Sequence, residues 1–359
     1  MGSRPIGVET LTAGTIDPIR DPRWVDFIAD HPSAVAFHLP GWIESTVSVF
    51  GYQPRFHVLE TDEGHIVAAW PSMLIKSRLT GTRLVCLPFC HRSGPLLETD
   101  RQAEQLLAAL AADMARFKAA SFEVRDWPTT IGVPAIMTAS DEYTRHVIDL
   151  SDGPDGVLRA MDKDMRYSLN RSRREGVTVR LAESDADVET FYRLYVSQRR
   201  RQGLLPQPES FLRSIHERVV CRGNGFLVIA ERGGKPLCAL LSVGHGDTVI
   251  GTHSAATVAA RSYRATPLAI WRSIELACEQ EYRSYDLGRS DAESTGLVHF
   301  KKEWGAQQQP LPYYFHPQPT GVNAGGTGGL KKSLLRAYAR FAPDPVFVGL
   351  SRPIYRHLG

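Results

Sequence analysis

The sequence predicts a mixed α/β fold made of two halves with a similar order of elements. Strand-like runs follow one another with turn signals between them, as at Ile66–Ile75 and Arg83–Leu87, and such neighbours form antiparallel hairpins. The alanine-rich segment Arg101–Ala119 has helical spacing and lies between two strand-like runs, as a crossover helix does. Hairpins combined with a crossover helix give a mixed sheet with helices on both faces.

In the first half, residues 1–150, two short helices precede a series of strands and one longer helix. The helices are expected at Trp24–His31, Pro40–Phe50 and Arg101–Ala119. Turn residues separate the strands, which are expected at Arg55–Glu60, Ile66–Ile75, Arg83–Leu87, Ser121–Trp127 and Tyr143–Leu150. The run Ser151-Asp-Gly-Pro-Asp-Gly is the first strong break, so the first domain is predicted to end at residue 150.

In the second half, residues 151–316, the same order of helices, meander, helix and strand returns. The helices are expected at Gly156–Glu175, Asp185–Gln202, Pro208–Cys221 and Pro267–Glu281. The strands are expected at Val177–Ala182, Gly225–Glu231, Pro236–Gly244, Thr248–Ala255 and around Tyr285. This repetition indicates a weak internal duplication in the order of elements, without a repeat of residues.

The end of the chain differs in composition from both halves. Residues 317–329 are rich in proline and glycine, which predicts a linker. Residues 330–359 form a basic tail, with an apolar helical stripe made of Leu330, Leu334, Tyr338 and Phe341. Such a tail could lie on an anionic membrane surface or dock on its own protein. The shortness of the stripe favours docking.

Composition limits the classes of function that the chain can have. A length of 359 residues suggests about two domains, and a net charge of only +3 argues against a general polyanion-binding protein. The five cysteines lack the spacing of paired metal ligands, so no metal site is predicted. No apolar leader and no run of eighteen apolar residues is present, so the expected compartment is the cytoplasm.

The segment 158–174 concentrates positive charge on a predicted helix. Six cationic and two acidic side chains leave a surplus of four charges, more than the net charge of the whole chain. Guanidinium groups grip phosphate through paired hydrogen bonds, so this face is a candidate site for a phosphate-bearing substrate. The candidate binding residues are Lys163, Arg166, Tyr167, Asn170 and Arg174. A solvated basic face without a ligand is the alternative interpretation.

A second polar group follows the strand around Tyr285. Asp286 and Arg289 lie where this strand ends, and Lys301 and Lys302 lie on the helix predicted after Leu297. If strand and helix face one cleft, a lysine there can stabilise an oxyanion, and Asp286 can orient it or accept a proton. Asp286, Lys301 and Lys302 are therefore catalytic candidates and Arg289 a binding candidate. Asp286 could instead bind only backbone amides in a turn.

Several motifs together resemble the FemAB-like branch of the GNAT acyltransferase superfamily. The strongest are Met165-Arg-Tyr-Ser-Leu-Asn-Arg-Ser-Arg-Arg, then Asp286-Leu-Gly-Arg, and then Phe300-Lys-Lys-Glu-Trp-Gly-Ala. Upstream, Phe37-His-Leu-Pro-Gly-Trp and Leu87-Pro-Phe are similar to signatures of the first domain in that branch. The resemblance extends from about residue 20 to about residue 315.

This resemblance implies two tandem GNAT-like domains, with the active site in the second, followed by the tail helix. It also implies acyl or aminoacyl transfer to a primary amine in bacterial cell-envelope or exopolysaccharide metabolism. The donor would be aminoacyl-tRNA or acyl-CoA, used as a co-substrate with no tightly bound cofactor, and the acceptor a lipid- or nucleotide-linked glycan. The alternatives are an acetyl-CoA-dependent N-acetyltransferase and a non-catalytic scaffold at the inner face of the membrane.

One segment departs from the pattern that binds the pyrophosphate of CoA in this superfamily. The turn before the crossover helix, residues 261–267, contains no glycine. A tight cradle of backbone amides is therefore disfavoured, although Arg261 and Arg264 could supply side-chain contacts to a cofactor phosphate. We also expect the cationic segments after Gly156 and Gly296 to converge on one hollow in the second half.

Overall fold

The computed structural model describes residues 11–140, 143–317, 338 and 341–359. In the first half, the helices are α1 (Arg23–Asp30), α2 (Pro40–Phe50) and α3 (Asp100–Phe117). The strands of this half are β1 (Thr12–Ile16), β2 (Gln53–Pro54), β3 (Phe56–Glu60), β4 (Ile66–Trp70), β5 (Met73–Ser77), β6 (Gly81–Val85), β7 (Phe122–Arg125) and β8 (Thr138–Ser140).

The second half has longer strands and more helices. The last strand before residue 150 is β9 (Tyr143–Asp149), and the strands of the second half are β10 (Val177–Leu181), β11 (Gly225–Arg232), β12 (Lys235–His245), β13 (Thr248–Ala256), β14 (Ser284–Asp291), β15 (Gln307–Pro310) and β16 (Tyr313–His316). Its helices are α4 (Gly153–Ala160), α5 (Lys163–Arg174), α6 (Asp185–Gln202), α7 (Glu209–Arg218), α8 (Val258–Ser262), α9 (Ala265–Glu279) and α10 (Thr295–Lys302). Two short helices follow near the end, α11 (Asp344–Gly349) and α12 (Ser351–Tyr355).

Within the described residues the strands form three sheets, and the predicted mixed α/β class is confirmed. The first-half sheets have the orders β1-β3-β4 and β2-β5-β6-β7-β16-β8, and the large sheet has the order β10-β11-β12-β13-β14-β9-β15. Two neighbouring pairs are parallel, β6 with β7 and β13 with β14, and each is joined by a connection that contains a crossover helix.

Strands β9 and β16 each pair in a sheet of the other half. Strand β9 precedes the predicted boundary, yet it pairs with β14 and β15 in the large sheet. Strand β16 lies at the end of the second half, yet it pairs with β7 and β8 of the first. A division at residue 150 stays a prediction, and any division there leaves one strand of each half in the sheet of the other.

Two elements that the sequence presents as continuous are broken in the structure. The run Ile66–Ile75 divides into β4 and β5 because Pro71 has no amide to donate, and the Ser72 hydroxyl donates to the Arg55 carbonyl at 2.7 Å. The helical run Gly156–Glu175 divides into α4 and α5 because Met161 takes an extended conformation and is buried. Asp162 N then donates to the Glu303 carbonyl at 2.9 Å, which ties this break to the end of α10.

One large hydrophobic core joins both halves and the end of the chain. Side chains from α1, α2, α6 and α7 pack with residues of β11–β13, and Phe347 of α11 belongs to the same core with no exposed surface. Tyr52 donates its hydroxyl to the Tyr355 carbonyl at 2.8 Å. The described part of the tail is therefore docked on the protein. The predicted stripe Leu330–Phe341 lies mostly outside the described residues.

Candidate active site

A cavity of about 610 Å³ opens beside the point where the parallel strands β13 and β14 separate. Their pairing ends at Ile250 and Asp286, because Gly288 takes a φ of +79° and shifts the register of β14 against β9. A Cβ at Gly288 would approach the Gly251 carbonyl oxygen to 3.2 Å, so this backbone approach favours glycine. A glycine within β14 therefore produces the separation of the two strands.

The walls of the cavity combine apolar side chains with a small number of polar groups. Leu240, Ile270 and Phe300 give apolar surface from β12, α9 and α10. A β-bulge lies in β13 opposite Leu241, and it leaves Thr252 as the extra residue, facing the cavity. A bulge frees backbone groups from the ladder, so this strand can offer a hydrogen bond to a bound carbonyl.

Lys301 is the predicted catalytic residue that lies in the cavity wall. Its side chain is 5% exposed, and Nζ donates to the carbonyl oxygens of Gly288 at 2.6 Å and Arg289 at 3.1 Å. Burial lowers the pKa of Lys301 to about 8, although the charge of Asp286 acts in the opposite direction. The site therefore holds an ammonium group that is still largely protonated at neutral pH.

Asp286 is fully buried beside this wall. It binds a backbone amide, as the alternative interpretation of the sequence expected. Its Oδ1 accepts from the Gly288 amide at 2.7 Å. Its Oδ2 lies 3.6 Å from Arg145 Nη1 and 3.7 Å from His91 Nε2. Burial alone would raise the pKa of Asp286, but His91, Arg145 and the Gly288 amide outweigh burial and lower it. Asp286 is therefore an ionised carboxylate with one oxygen still available.

Lys302 and the binding candidates of α5 lie outside this cavity. Successive helical residues leave the axis about 100° apart, so Lys302 is exposed while Lys301 points inward. The predicted binding residues of α5 are all exposed, and none lines the cavity: Lys163, Arg166, Tyr167, Asn170 and Arg174. The buried face of α5, with Met165 and Leu169, packs in the core with residues of α9.

The two cationic segments are therefore neighbours without sharing a hollow. The hydrogen bond from Asp162 N to Glu303 O places the start of α5 against the end of α10. Lys301 of α10 lines the cavity, whereas the basic side chains of α5 are exposed and do not line it. The expectation of convergence on one hollow does not match this arrangement, because the break at Met161 turns α5 onto α9.

Arg166 has a structural contact that its sequence context does not indicate. Its Nη1 donates to the carbonyl oxygens of Leu158 at 2.9 Å and Met161 at 2.6 Å. These carbonyls lie at the end of α4, where a helix leaves acceptors without partners. Arg166 therefore caps the preceding helix. Arg174 instead lies over the Tyr167 ring, with 5.8 Å between the guanidinium carbon and the ring centroid.

Of the remaining predicted cations, Arg289 lines the cavity, whereas Arg261 and Arg264 do not. Arg289 lines it, and its guanidinium lies 4.2 Å from the centroid of the Tyr143 ring. Arg261 in α8 and Arg264 directly before α9 are exposed, and Thr266 at the start of α9 lines the cavity. Arg264 has a φ of +53°, a left-handed conformation that favours glycine. Neither arginine lines the cavity, and neither has a described side-chain partner in the structure.

Four cavity residues from the first half, Phe89 and three titratable residues, were not among the predicted site residues. Cys90, His91 and Arg125 all line the cavity, and Arg125 Nη1 donates to the Cys90 carbonyl at 2.7 Å. Burial raises the pKa of the Cys90 thiol well above its usual value, so it is not an activated nucleophile. His91 differs because it faces Asp286 of the second half. The only sequence signal for this group was the family-like run that begins at Leu87.

Known proteins resemble this chain both in sequence and in fold. A family model described as an acetyltransferase (GNAT) domain matches residues 159–302. The UDP-N-acetylmuramoylpentapeptide-lysine N(6)-alanyltransferase of Weissella viridescens is 23% identical over 302 residues, which cover 78% of this chain and 87% of the relative. The chain is therefore similar to the FemAB-like branch of the GNAT acyltransferases. The resemblance inferred from the motifs is confirmed.

Solved structures support the same fold for this chain. The crystal structure of FemX is 14% identical with a TM-score of 0.70, and the match covers 84% of this chain and 96% of FemX. A tandem GNAT protein from the clavulanic acid biosynthesis pathway is 15% identical with a TM-score of 0.51, covering 87% of this chain and all of the other. The predicted tandem GNAT-like architecture is confirmed by these neighbours.

Two further findings concern metals and membranes. Among the described residues, His, Cys, Asp and Glu side chains do not assemble in groups of three or more that could bind a metal ion. No helix in the described part of this acyltransferase combines the length and the apolar character that crossing a bilayer requires.

Proposed function

We propose that this acyltransferase forms an amide on a primary amine of a cell-envelope or exopolysaccharide precursor in bacteria. The observation that carries the proposal is Lys301, a buried ammonium group in the wall of a cavity that also contains the bulge of β13. A positive charge is costly to bury, so its position in the cavity wall favours a catalytic use. Both features suit the oxyanion formed when an amine attacks an ester.

The reaction that suits this cavity is direct transfer without a covalent intermediate. The acceptor nitrogen attacks the carbonyl carbon of the donor, and Lys301 and the backbone at Thr252 stabilise the resulting oxyanion. One such donor contributes about 3 kcal/mol, and holding both substrates together contributes roughly 7–11 kcal/mol. No thiol in the cavity wall is activated, since the Cys90 pKa is raised.

We propose aminoacyl-tRNA as the preferred donor and acyl-CoA as the alternative. The relative from Weissella viridescens is named as an alanyltransferase, which favours an aminoacyl group. The turn 261–267 lacks the glycines that would form a tight pyrophosphate cradle, whereas Arg261, Arg264 and the exposed face of α5 offer cations over a wide surface. A wide cationic surface suits an extended phosphate backbone better than a single diphosphate.

The acceptor in this proposal carries phosphate as well as an amine. The name of the same relative specifies a nucleotide-linked muropeptide and the N(6) nitrogen of its lysine. A nucleotide- or lipid-linked glycan with a primary amine is therefore our proposed acceptor class. Because charged tRNA is a cytoplasmic molecule, we place the reaction in the cytoplasm, with a lipid-linked acceptor drawing the enzyme to the inner face of the membrane.

A reconstituted transfer reaction tests this proposal. The purified chain is mixed with alanyl-tRNA and a lysine-containing UDP-N-acetylmuramoyl-pentapeptide, and with acetyl-CoA in a parallel reaction. We expect a product with one added alanine, detected by mass spectrometry, and a loss of about 100-fold or more in kcat for Lys301→Gln. The matched control is Lys302→Gln on the outer side of α10, for which we expect a far smaller loss. Absence of transfer from both donors would contradict the proposal and favour a scaffold.

A further inference from the structure

We propose that His91, oriented by Asp286, accepts the proton of the attacking amine, so that the first half contributes a catalytic residue to the site of the second. This inference rests on the proposed amide-forming function. It arises from the placement of two buried polar groups. His91 belongs to the loop after β6, and Asp286 belongs to β14.

The first argument concerns two buried atoms that lack hydrogen-bond partners and lie opposite each other. His91 Nε2 and Asp286 Oδ2 are both buried, and neither has a hydrogen-bond partner among the described residues. They lie 3.7 Å apart and face each other. Leaving two such groups unpaired costs about 1–3 kcal/mol for each, so a site that only needed stability would not favour them. Hydrogen bonds of catalytic groups are often long before substrate binds and shorten in the complex.

The second argument concerns the orientation of the imidazole. Phe37 packs against the His91 ring edge to face, with 5.3 Å between ring centroids, and restricts its rotation. With Asp286 ionised opposite Nε2, the favoured tautomer carries its proton on Nε2. The other nitrogen, Nδ1, is then left with a lone pair. Because His91 lines the cavity, Nδ1 is the nitrogen that can receive a proton there.

The third argument concerns the different chemical roles of His91 and Lys301. Lys301 already donates to two carbonyl oxygens, and its pKa of about 8 keeps it largely protonated at neutral pH. It is therefore suited to stabilise an oxyanion rather than to accept a proton. An imidazole next to a carboxylate is the better proton acceptor at this pH.

The reaction then balances with one proton carried by His91. The acceptor nitrogen forms a bond with the carbonyl carbon, the carbonyl oxygen becomes the oxyanion, and the nitrogen gives its extra proton to Nδ1. When the intermediate collapses, the bond from carbon to the ester oxygen breaks. The proton on Nδ1 passes to that oxygen, which leaves as a hydroxyl group. The amide and the alcohol are the only products.

The charged and titratable groups around His91 come from several elements. They lie on β7, β9, β14, α10, β16 and the loop of His91 itself, and they are Arg125, Arg145, Asp286, Arg289, Lys301, Tyr313 and Cys90. The Tyr313 hydroxyl donates to the His91 carbonyl at 3.2 Å. The carboxylate of Asp286 thus faces His91 among several cations, so Asp286→Asn changes the charge next to the imidazole.

Two measurements on the full chain test this inference. The first is nitrogen NMR with labelled histidine, in which the His91 signal is assigned by its disappearance in His91→Gln. We expect the Nε2-protonated tautomer in the wild-type protein and a loss of that preference in Asp286→Asn. The Nδ1-protonated tautomer in the wild type would overturn the proposal. This measurement needs no substrate.

The second measurement is the rate of alanine transfer from alanyl-tRNA as a function of pH. We expect His91→Gln to lower kcat by about 100-fold or more with little change in KM. Added imidazole should restore part of the rate in His91→Ala. In Asp286→Asn kcat should also fall, because the carboxylate no longer holds the imidazole proton on Nε2. The matched control is His65→Gln, an exposed histidine far from the cavity, which should keep the wild-type profile.

The outcomes separate the two proposals. If wild-type protein transfers alanine and His91→Gln is equally fast, the role of His91 is wrong while the amide-forming function stands. If the wild type transfers nothing from either donor, the amide-forming function is wrong and the role of His91 fails with it, whichever tautomer NMR reports. Thermal unfolding of each variant distinguishes lost catalysis from lost folding, and rescue by imidazole requires a folded site.

Discussion

A buried lysine lowers the stability of the folded protein at every pH at which the buried side chain is protonated. Lys301 has an ordinary pKa of 10.5, and burial lowers it to about 8 in the folded protein. The unfolded chain therefore binds the proton more tightly than the folded protein does. This difference amounts to a cost on the order of 3 kcal/mol at neutral pH. A cost of this size suggests that the ammonium group is kept for its chemistry.

Replacing Lys301 with methionine should remove this cost and the activity together. Between pH 8 and 10.5 the unfolded state binds more protons than the folded state, so wild-type stability gains with rising pH from this group. We expect the Lys301→Met variant to lose that gain, so its advantage over wild type shrinks between pH 7 and pH 10. The lost hydrogen bonds to Gly288 and Arg289 weaken the variant equally at both pH values.

Chemical denaturation at pH 7 and pH 10 measures this change directly. Lys302→Met is the control, because Lys302 is exposed and its replacement should alter stability by a similar amount at both pH values. An identical difference between Lys301→Met and wild type at the two pH values would show that Lys301 keeps its ordinary pKa. The oxyanion role would then lose its electrostatic basis.

At the scale of elements, prediction from sequence succeeded where a local signal decides the boundary. Helix α2 was predicted with its observed bounds, Pro40–Phe50, since proline starts it and Gly51 ends it in a left-handed conformation. The break at Met161 was not predicted, because it depends on a hydrogen bond to Glu303 far along the chain. Strand β15, Gln307–Pro310, has no apolar alternation and exists through its pairing with β9.

The candidate site was predictable to the same extent and for the same reason. Lys301 and Arg289 could be selected because the strand and helix that carry them are adjacent in sequence, and both line the cavity. His91 could not be selected, because its nearness to Asp286 follows from packing between the halves. A sequence shows which groups are reactive but not which distant groups will face each other.

Helix α5 allows a test of the proposed contact with the donor. Its exposed side chains Lys163, Arg173 and Arg174 form no salt bridge with any residue that the structure describes. We expect replacement of all three with glutamine to weaken transfer from alanyl-tRNA by about tenfold or more in kcat/KM, and to reduce its dependence on salt. Folding should be unaffected, because exposed substitutions rarely change stability by more than about 0.5 kcal/mol.

The control for this prediction lies on the same helix. Arg166→Gln should lower the melting temperature, because Arg166 caps the end of α4 through two carbonyl oxygens. The triple variant should melt like wild type. If it transfers alanine as fast as wild type at all salt concentrations, α5 is a solvated basic face and the donor binds elsewhere.

For the whole molecule, the end of the chain is part of the folded unit and of the cavity. Phe347 is fully buried in the core that joins the halves, and the Arg200 guanidinium lies 4.3 Å from its ring centroid. Arg83 Nη2 donates to the His357 carbonyl at 3.0 Å, and Leu358 lines the cavity. The tail thus connects the stability of the core with the shape of the site.

Phe347→Ala should therefore destabilise the protein and also lower its activity. Removing a fully buried phenylalanine costs about 3–5 kcal/mol, a large part of the stability of a typical domain. Val346→Ala, at a half-exposed neighbour on the same helix, should cost far less. Thermal unfolding and transfer rates for both variants distinguish a tail that stabilises the fold and the site from a tail that only binds membrane. If the tail served only to bind membrane, Phe347→Ala would keep the wild-type melting temperature and lose only co-sedimentation with anionic vesicles.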